Sequence, residues 1–294
     1  MVDNRVVTRL VFVMALLGAS VLPGSAQLEI EVSHKARSIH PGEVVVLLVN
    51  AAENPVHVVA TAFGKPVYFF QTADNVWTGL VGIDLTVGVG THDVDVTATA
   101  DDGVMVQKTY PLVVQSKEFP TRRLSVNPSF VSPPEEVIER IQRESRTLDG
   151  IFSTATEERM WRDGFLRPVD GESTSSFGRR SVFNGQPRSP HSGTDFRATE
   201  GTPIKSPNGG KVVLATDLYF SGNVVVIDHG LGLYSYFAHL SSIDVTLGED
   251  VSQGKVVGKV GSTGRVTGPH LHWTVRLNGS RVDPLSLMEL FPFD

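Results

Sequence analysis

The sequence predicts a mainly β protein in which two β domains are joined by a partly helical connector. Three observations lead to this prediction. Short runs of β-branched and aromatic residues, separated by turn residues, fill residues 27–118. The same pattern returns at residue 164 and continues to residue 294, with glycine at nearly every junction between runs. Between these regions, residues 119–163 include a stretch in which apolar residues recur at helical spacing.

The composition is that of a globular protein with real cores. A chain of 294 residues is long enough for two domains, and 40% hydrophobic and 20% charged residues are ordinary proportions. The formal net charge is −6 and no basic stripe occurs, which argues against a nucleic-acid partner. The sequence contains no cysteine, and this excludes disulfides, thiol catalysis and cysteine-ligated metals.

Residues 1–26 have the form of a secretory signal peptide. Arg5 and Arg9 precede an apolar run over residues 10–21, and small residues at 23–26 offer a cleavage site before Gln27. The apolar run is shorter than the roughly 20 residues that cross a bilayer. We therefore expect cleavage and export to the periplasm or the exterior, with no stable membrane insertion afterwards. An uncleaved anchor is the alternative.

The first β domain, residues 27–118, reads as a small antiparallel β-sandwich, an accessory domain without a chemical motif. Its candidate strands are residues 43–49, 56–62, 67–70 and 94–99. Its histidines are scattered without carboxylate or histidine neighbours at ligand spacing, and we expect ordinary strand or surface residues there; they are His34, His40, His57 and His92.

The connector, residues 119–163, contains a predicted helix. Residues 132–136 (SPPEE) combine the cap residue Ser132 with early prolines and acidic side chains, which suit the positive end of a helix. Val137, Ile141 and Leu148 then recur at helical spacing. An amphipathic helix lying on the surface of one or both domains is expected.

The second β domain, residues 164–294, is predicted to be antiparallel and almost entirely β. Its candidate strands are residues 211–215, 223–228, 233–237, 255–260 and 270–277. Five of the nine histidines of the chain fall in this domain. His270 and His272 begin an alternating run, so both side chains point to one face of a strand. Such a pair by itself is explained as well by a structural role as by a metal or acid–base site.

A histidine and a carboxylate, His191 and Asp195, stand four positions apart before a strand. Imidazole and carboxylate together suit Zn²⁺, and His272 would complete the three protein ligands of a catalytic zinc site. His239 and His270 would then lie beside it, where imidazole can accept or donate a proton near neutral pH. His229 enters a glycine turn and is expected to be an exposed hairpin residue.

Several motifs occur in order over residues 173–284, and they resemble one known family. They are SFGRR at 176–180, PHSGTDF at 190–196, GTPI at 201–204, GKV at 210–212, FAHLS at 237–241, GSTG at 261–264 and GPHLHW at 268–273. This pattern resembles the lysostaphin-like zinc metalloendopeptidases, the M23 peptidase family. The resemblance implies an antiparallel β catalytic domain of the lysostaphin-like type with a substrate groove across its sheet.

Carried over by position, the resemblance implies His191, Asp195 and His272 as zinc ligands, with His239 and His270 acting on the water and the transition state. It implies peptidoglycan peptides as the substrate. Stem-peptide cross-links are favoured over glycine bridges, because the chain has neither a cysteine anchor nor a wall-sorting tail. Related sequences often have a tyrosine two places before His239, where this chain has Phe237, so any further oxyanion donor is undecided.

The resemblance leaves three questions open. A member of the same fold that serves as a non-catalytic wall-binding or amidase-activating module is the alternative function. The first domain would bind wall polymer, position the enzyme or occlude the groove. The oligomeric state is not predicted.

Overall fold

The computed structural model describes residues 28–52, 55–125, 131–162, 164–174 and 177–290. The predicted signal peptide, residues 1–26, lies outside these ranges. The described chain is mainly β, as predicted. Within those ranges, no helix is long and apolar enough to cross a membrane.

The N-terminal region forms a seven-stranded antiparallel sheet in the order β1-β2-β5-β4-β3-β6-β7. Its strands are β1 (Ile30–Lys35), β2 (Val44–Ala51), β3 (His57–Ala62), β4 (Lys65–Ala73), β5 (Val76–Gly82), β6 (Gly90–Thr99) and β7 (Met105–Val114). The first half of β4 pairs with β3 as far as Tyr68, and its second half pairs with β5 from Phe69 onward. A strand that changes partners in this way folds the sheet into the predicted sandwich.

The sandwich closes around its own apolar core. Val94, Val96 and Ala98, predicted to share one face of a strand, are all buried in this core. Outer strands β1 and β7 are joined by side chains, since His34 Nδ1 lies 2.6 Å from the Tyr110 hydroxyl. This accounts for His34, which needs no chemical role.

The connector contains a strand that the sequence pattern does not reveal. This strand, β8 (Thr121–Leu124), pairs in parallel with β9 (Arg180–Phe183). The helix follows as α1 (Glu135–Phe152), whose N-cap is Pro134 and has no side-chain cap hydrogen bond. The predicted cap at Ser132 is therefore wrong, because the helix begins two residues later than that position requires. Leu148, Ile151 and Phe152 pack on the large sheet of the C-terminal region.

The C-terminal region is built on a nine-stranded antiparallel sheet with the path β11-β18-β15-β14-β13-β16, to which β12, β17 and β19 add at the sides. After β9 come β10 (Gln186–Pro187), β11 (Thr194–Phe196), β12 (Pro203–Lys205), β13 (Gly210–Leu218), β14 (Gly222–Gly230), β15 (Leu233–Ile243), β16 (Asp250–Val251), β17 (Val256–Val260), β18 (Leu271–Leu277), β19 (Ser280–Val282) and helix α2 (Pro284–Glu289). All five predicted strands of this region occur. Their ends differ from the predicted ones by no more than three residues, except that β15 runs six residues further than predicted.

The two β regions share one hydrophobic core. Val44, Val46 and Leu80 of the N-terminal sandwich are buried in the same cluster as Trp273 and Leu277 of β18. Polar contacts also join the two β regions. Asp84 accepts two hydrogen bonds from the Arg281 guanidinium, at 3.0 and 2.6 Å. The sandwich is thus packed into the C-terminal region rather than tethered beside it.

Candidate metal centre

The site forms where three neighbouring strands of the second sheet bring side chains to one face. Asp195, in the middle of β11, is the direct cross-strand partner of His272 on β18. On its other side, His272 pairs with Ala238 of β15. His239 follows Ala238, and His270 lies directly before β18, where it pairs with Gly261. Antiparallel pairing therefore gathers residues that are separated by almost eighty positions.

The oxygen atom Oδ1 of Asp195 is the common point of this cluster. It lies 3.2 Å from Nε2 of His191 and 3.0 Å from Nδ1 of His272. The ligand atoms of these three residues all lie within 4.8 Å of one another. Two imidazoles and one carboxylate at such separations are the donor set expected of a zinc site with three protein ligands.

The loop that carries His191 is fixed through its backbone. The amide of His191 donates to the carbonyl of Arg179 over 3.0 Å, and its carbonyl accepts from the amide of Gly178 over 2.8 Å. Gly193 then lets the loop approach β18, because a Cβ there would lie 2.5 Å from the backbone oxygen of Trp273. A larger residue at this position would push His191 away from His272.

Two further imidazoles, His239 and His270, border the cluster. Nδ1 of His239 lies 3.0 Å from the carbonyl of Thr263, and Nδ1 of His270 lies 2.9 Å from the carbonyl of Gly268. A carbonyl accepts only, so each Nδ1 carries the proton and each Nε2 keeps a lone pair. Nε2 of His270 is 3.8 Å from Oδ1 of Asp195. The two rings are 5.1 Å apart between centroids.

His239 has an unusual backbone conformation. Its φ is +67°, the left-handed region that residues with a Cβ seldom occupy. It lies in β15 where the register with β14 shifts, and its amide donates to the carbonyl of Ser221. Strain at such a residue is found most often at functional sites, where the fold holds a side chain in a required direction.

The electrostatics of the cluster keep the Asp195 carboxylate charged and favour the neutral forms of His239 and His272. Burial alone would raise the pKa of Asp195, but hydrogen bonds to His191 and His272 outweigh it and hold that pKa well below its usual range. Burial, together with the neighbouring His272 and His270, lowers the pKa of His239 to about 3. Burial also lowers the pKa of His272.

Thr274 is a site residue that sequence reasoning missed. Its hydroxyl oxygen lies 2.9 Å from Nε2 of His272, while Nδ1 of His272 faces Asp195. A proton on Nε2 that is donated to Thr274 leaves the lone pair of Nδ1 directed at the cluster. Partners of this kind orient metal-binding histidines in proteins. The signal was present in the sequence, since Thr274 lies two residues after His272 on the same face of β18.

His229 is not the exposed hairpin residue that its glycine turn suggested. Its side chain is fully buried in β14, away from the cluster. Nδ1 lies 2.6 Å from the carbonyl of Gly209, and Nε2 lies 2.9 Å from the Ser235 hydroxyl, which in turn accepts from Nε1 of Trp273. The prediction failed because both ring nitrogens find partners inside the sheet. The remaining histidines belong to the sandwich, where His40 and His92 contact backbone carbonyls and His57 is exposed.

Comparison with known proteins matches the region around this cluster to one protein family. Residues 189–284 match the model of peptidase family M23. The chain is 37% identical to a crystal structure provisionally named peptidase M23 from Pseudomonas aeruginosa, with a TM-score of 0.69, covering 87% of this chain and 97% of that one.

Two curated relatives match part of the chain. Peptidoglycan DD-endopeptidase ShyA of Vibrio cholerae is 40% identical over 121 residues, which are 40% of this chain and 28% of the relative. DD-carboxypeptidase/endopeptidase Mpg of Neisseria meningitidis is 42% identical over 97 residues, which are 33% of this chain and 22% of the relative. The matched segments thus span less than a third of the length of either relative.

Proposed function

Because the chain belongs to peptidase family M23, we propose that it is an exported zinc metalloendopeptidase that hydrolyses peptide bonds in bacterial peptidoglycan. The observation that carries the proposal is the cluster of His191, Asp195 and His272, with ligand atoms within 4.8 Å of one another. The cluster lies inside the segment that matches the family model. Stem-peptide cross-links are the favoured substrate, since the matched curated relatives are named as DD-endopeptidases and DD-carboxypeptidases.

The cluster fits zinc by the chemistry of its donors. Nε2 of His191, a carboxylate oxygen of Asp195 and Nδ1 of His272 would hold the ion, and the ordinary zinc set of two imidazoles and one carboxylate is complete. When bound, zinc would polarise the scissile carbonyl and lower the pKa of a water molecule at the site. The low pKa of Asp195 keeps its carboxylate ionised and available as a ligand near neutral pH.

His239 and His270 are the proposed proton-handling residues. With each Nδ1 proton committed to a backbone carbonyl, each Nε2 offers a lone pair that accepts a proton from water. The protonated ring then donates to the leaving amine or to the negative charge on the carbonyl oxygen. Phe237, at the place where related sequences often have a tyrosine, belongs to the main core, and Tyr236 beside it is buried in the cluster beneath α1.

Export and domain organisation complete the proposal. Action on peptidoglycan requires a periplasmic or extracellular location, which agrees with the predicted signal peptide at residues 1–26. The proposed divisions are an accessory sandwich at 27–118, a linker at 119–163 and the catalytic domain at 164–294. The similar Pseudomonas aeruginosa structure covers 87% of this chain, which supports the presence of both regions in one relative.

The test uses the full chain, zinc analysis and mass spectrometry of purified peptidoglycan after digestion. We expect one zinc ion per chain and fragments in which stem-peptide cross-links are cut, with new amino termini. Asp195→Ala should lose both zinc and hydrolysis, whereas His270→Ala should lose hydrolysis and keep most of its zinc. The exposed change His57→Gln is the matched control and should alter neither property.

Three outcomes of this test count against the proposal. Bound zinc without any bond cleavage would support a non-catalytic wall-binding or amidase-activating module instead. Cleavage of glycine bridges alone would overturn the substrate. Loss of zinc in His270→Ala would overturn the division between ligands and proton-handling residues.

A further inference from the structure

A second candidate site lies where the sandwich, α1 and the β18–β19 turn meet. It is a cavity of about 320 Å³, lined among others by Tyr68 of β4, Phe152 of α1 and Arg276 of β18. Arg276 is four residues beyond His272, or about 14 Å at roughly 3.4 Å per strand residue. Helix α1 packs over this face of the sheet, on side chains of β13, β14 and β15. The cavity is therefore distinct from the metal centre.

Arg276 places at this cavity a guanidinium with one unsatisfied hydrogen-bond donor. Its Nη1 donates to the carbonyl of Gly279 over a long 3.5 Å, and its guanidinium lies 5.2 Å from the ring centroid of Phe152. Its Nε is buried and has no hydrogen-bond partner in the part of the chain that the structure describes. A guanidinium has five N–H donors, and leaving them unpaired away from water is costly. An anion in the cavity would pair with this guanidinium and compensate its charge.

Positive charge outweighs negative charge around the cavity. Arg281 is already paired with Asp84, so that pair contributes little net charge. Lys65 donates to the hydroxyl of Ser280 over 2.9 Å. Burial is the main cause that lowers the pKa of Lys65, and the nearby Arg276 and Arg281 lower it further. Arg276 is thus the cation of the cavity wall and Asp149 its carboxylate, while Lys65 lies next to the wall at Gly279.

The remaining wall of the cavity favours a ligand with an apolar part. Pro66, Tyr68, Phe152 and Ala155 line it with ring and methyl surface. We propose that this cavity binds a small carboxylate with an apolar body, whose carboxylate pairs with Arg276 while the apolar body packs on the aromatic wall. A planar carboxylate matches the fork of N–H donors on a guanidinium. The proposal stands independently of the peptidase activity.

The test is calorimetric titration of the full chain with benzoate, and with benzamide as the neutral probe of the same shape. Benzoate should bind one site and benzamide should not. Arg276→Met should weaken benzoate binding at least about tenfold, the loss expected for a charged hydrogen bond. Asp149→Asn should strengthen it by about twofold, because it removes an exposed charge of the same sign as the ligand. Arg122→Met, an exposed change on β8, should have no effect.

Two more variants keep the outcome decisive. Asp195→Ala removes a proposed zinc ligand and should leave benzoate binding intact, which separates this cavity from carboxylate binding to zinc. Ala155→Trp fills the cavity from its wall and should abolish binding even if Arg276→Met fails to fold. Equal binding of benzamide, equal binding of inorganic phosphate, or binding unchanged by both Asp149→Asn and Ala155→Trp would each overturn the proposal.

Discussion

Arg37 of the N-terminal sandwich donates from Nη2 to Oδ2 of Asp283, 2.7 Å away, at the end of β19. The other carboxylate oxygen of Asp283 accepts from the hydroxyl of Thr194 at 3.0 Å and from the amide of Leu285 at 3.1 Å. Thr194 directly precedes Asp195 on β11. The sandwich is thus connected by two hydrogen bonds to the strand that presents a proposed zinc ligand.

The first prediction concerns Arg37. It also pairs with Glu43, which is only 1% exposed, at 2.6 Å. Arg37→Met would leave two largely buried carboxylates short of a partner, so we expect the free energy of unfolding to fall by roughly 3 kcal/mol. Urea unfolding measures this change, with the exposed Arg122→Met as the control. A loss no larger than that of the control would show that the pair does not join the two regions.

The second prediction concerns a shortened chain that begins at Gly164. It would lack Val44, Val46 and Trp161, which are buried in the core shared with the catalytic region. It would also lose the edge-on contact of Phe70 with Trp161, whose ring centroids are 5.1 Å apart. Exposing a core surface of this size favours aggregation, because apolar area in contact with water costs about 25 cal/mol per Å².

We therefore expect the fragment 164–294 to bind a hydrophobic dye and to unfold without a sharp transition. A matched fragment from residue 28 to 294 keeps the shared core and should unfold cooperatively. Dye fluorescence and circular dichroism on heating distinguish the two. Equal midpoints for both fragments would contradict the shared core and would favour a sandwich that is merely tethered.

The sequence pattern predicted those parts of the structure that depend on local spacing. Alternation placed His270 and His272 on one face of a strand, and turn residues located all five predicted strands of the C-terminal region. Contacts between distant segments leave no such periodic signal. The parallel pairing of β8 with β9 and the burial of Val44 against the second sheet are of this kind. An apolar face predicts burial, but it does not say which partner covers it.

The candidate site, like the fold, was predicted only in part. The five residues named from the sequence converge in the structure, and their roles remain proposals. Thr274 was overlooked because a threonine on the same strand face as His272 does not by itself indicate a metal site. His229 was misjudged because a histidine beside a glycine turn is exposed unless specific partners exist, and Gly209 and Ser235 come from other segments.

The third prediction is a pH dependence of stability caused by His229. Burial lowers its folded-state pKa from 6.5 to about 4, so the unfolded chain binds this proton more readily than the folded one. The stability that His229 contributes is complete above pH 6.5 and is lost as the pH falls from 6.5 to 4. Its full value is about 3 kcal/mol, at 1.36 kcal/mol for each pKa unit.

His229→Gln tests this linkage, because an amide can still donate to Gly209 and accept from Ser235 but does not titrate. Urea unfolding between pH 4 and pH 7 should show a smaller loss of stability for the variant than for the parent chain. His57→Gln removes an exposed histidine and should keep the parental slope. Parallel pH profiles for the parent and His229→Gln would refute the assignment.

The last prediction concerns Thr274 and zinc affinity. Its hydroxyl lies 2.9 Å from Nε2 of His272 and accepts the proton that leaves Nδ1 free for a metal. Thr274→Val keeps the shape but removes the acceptor, so the ring loses its fixed tautomer and direction. We expect zinc affinity to fall by about 10- to 100-fold, as for other partners of metal-binding histidines. Competition with a chromophoric chelator measures this affinity without reference to activity. Thr274→Ser keeps the hydroxyl and should bind zinc like the parent, whereas unchanged affinity in Thr274→Val would show that Asp195 alone orients His272.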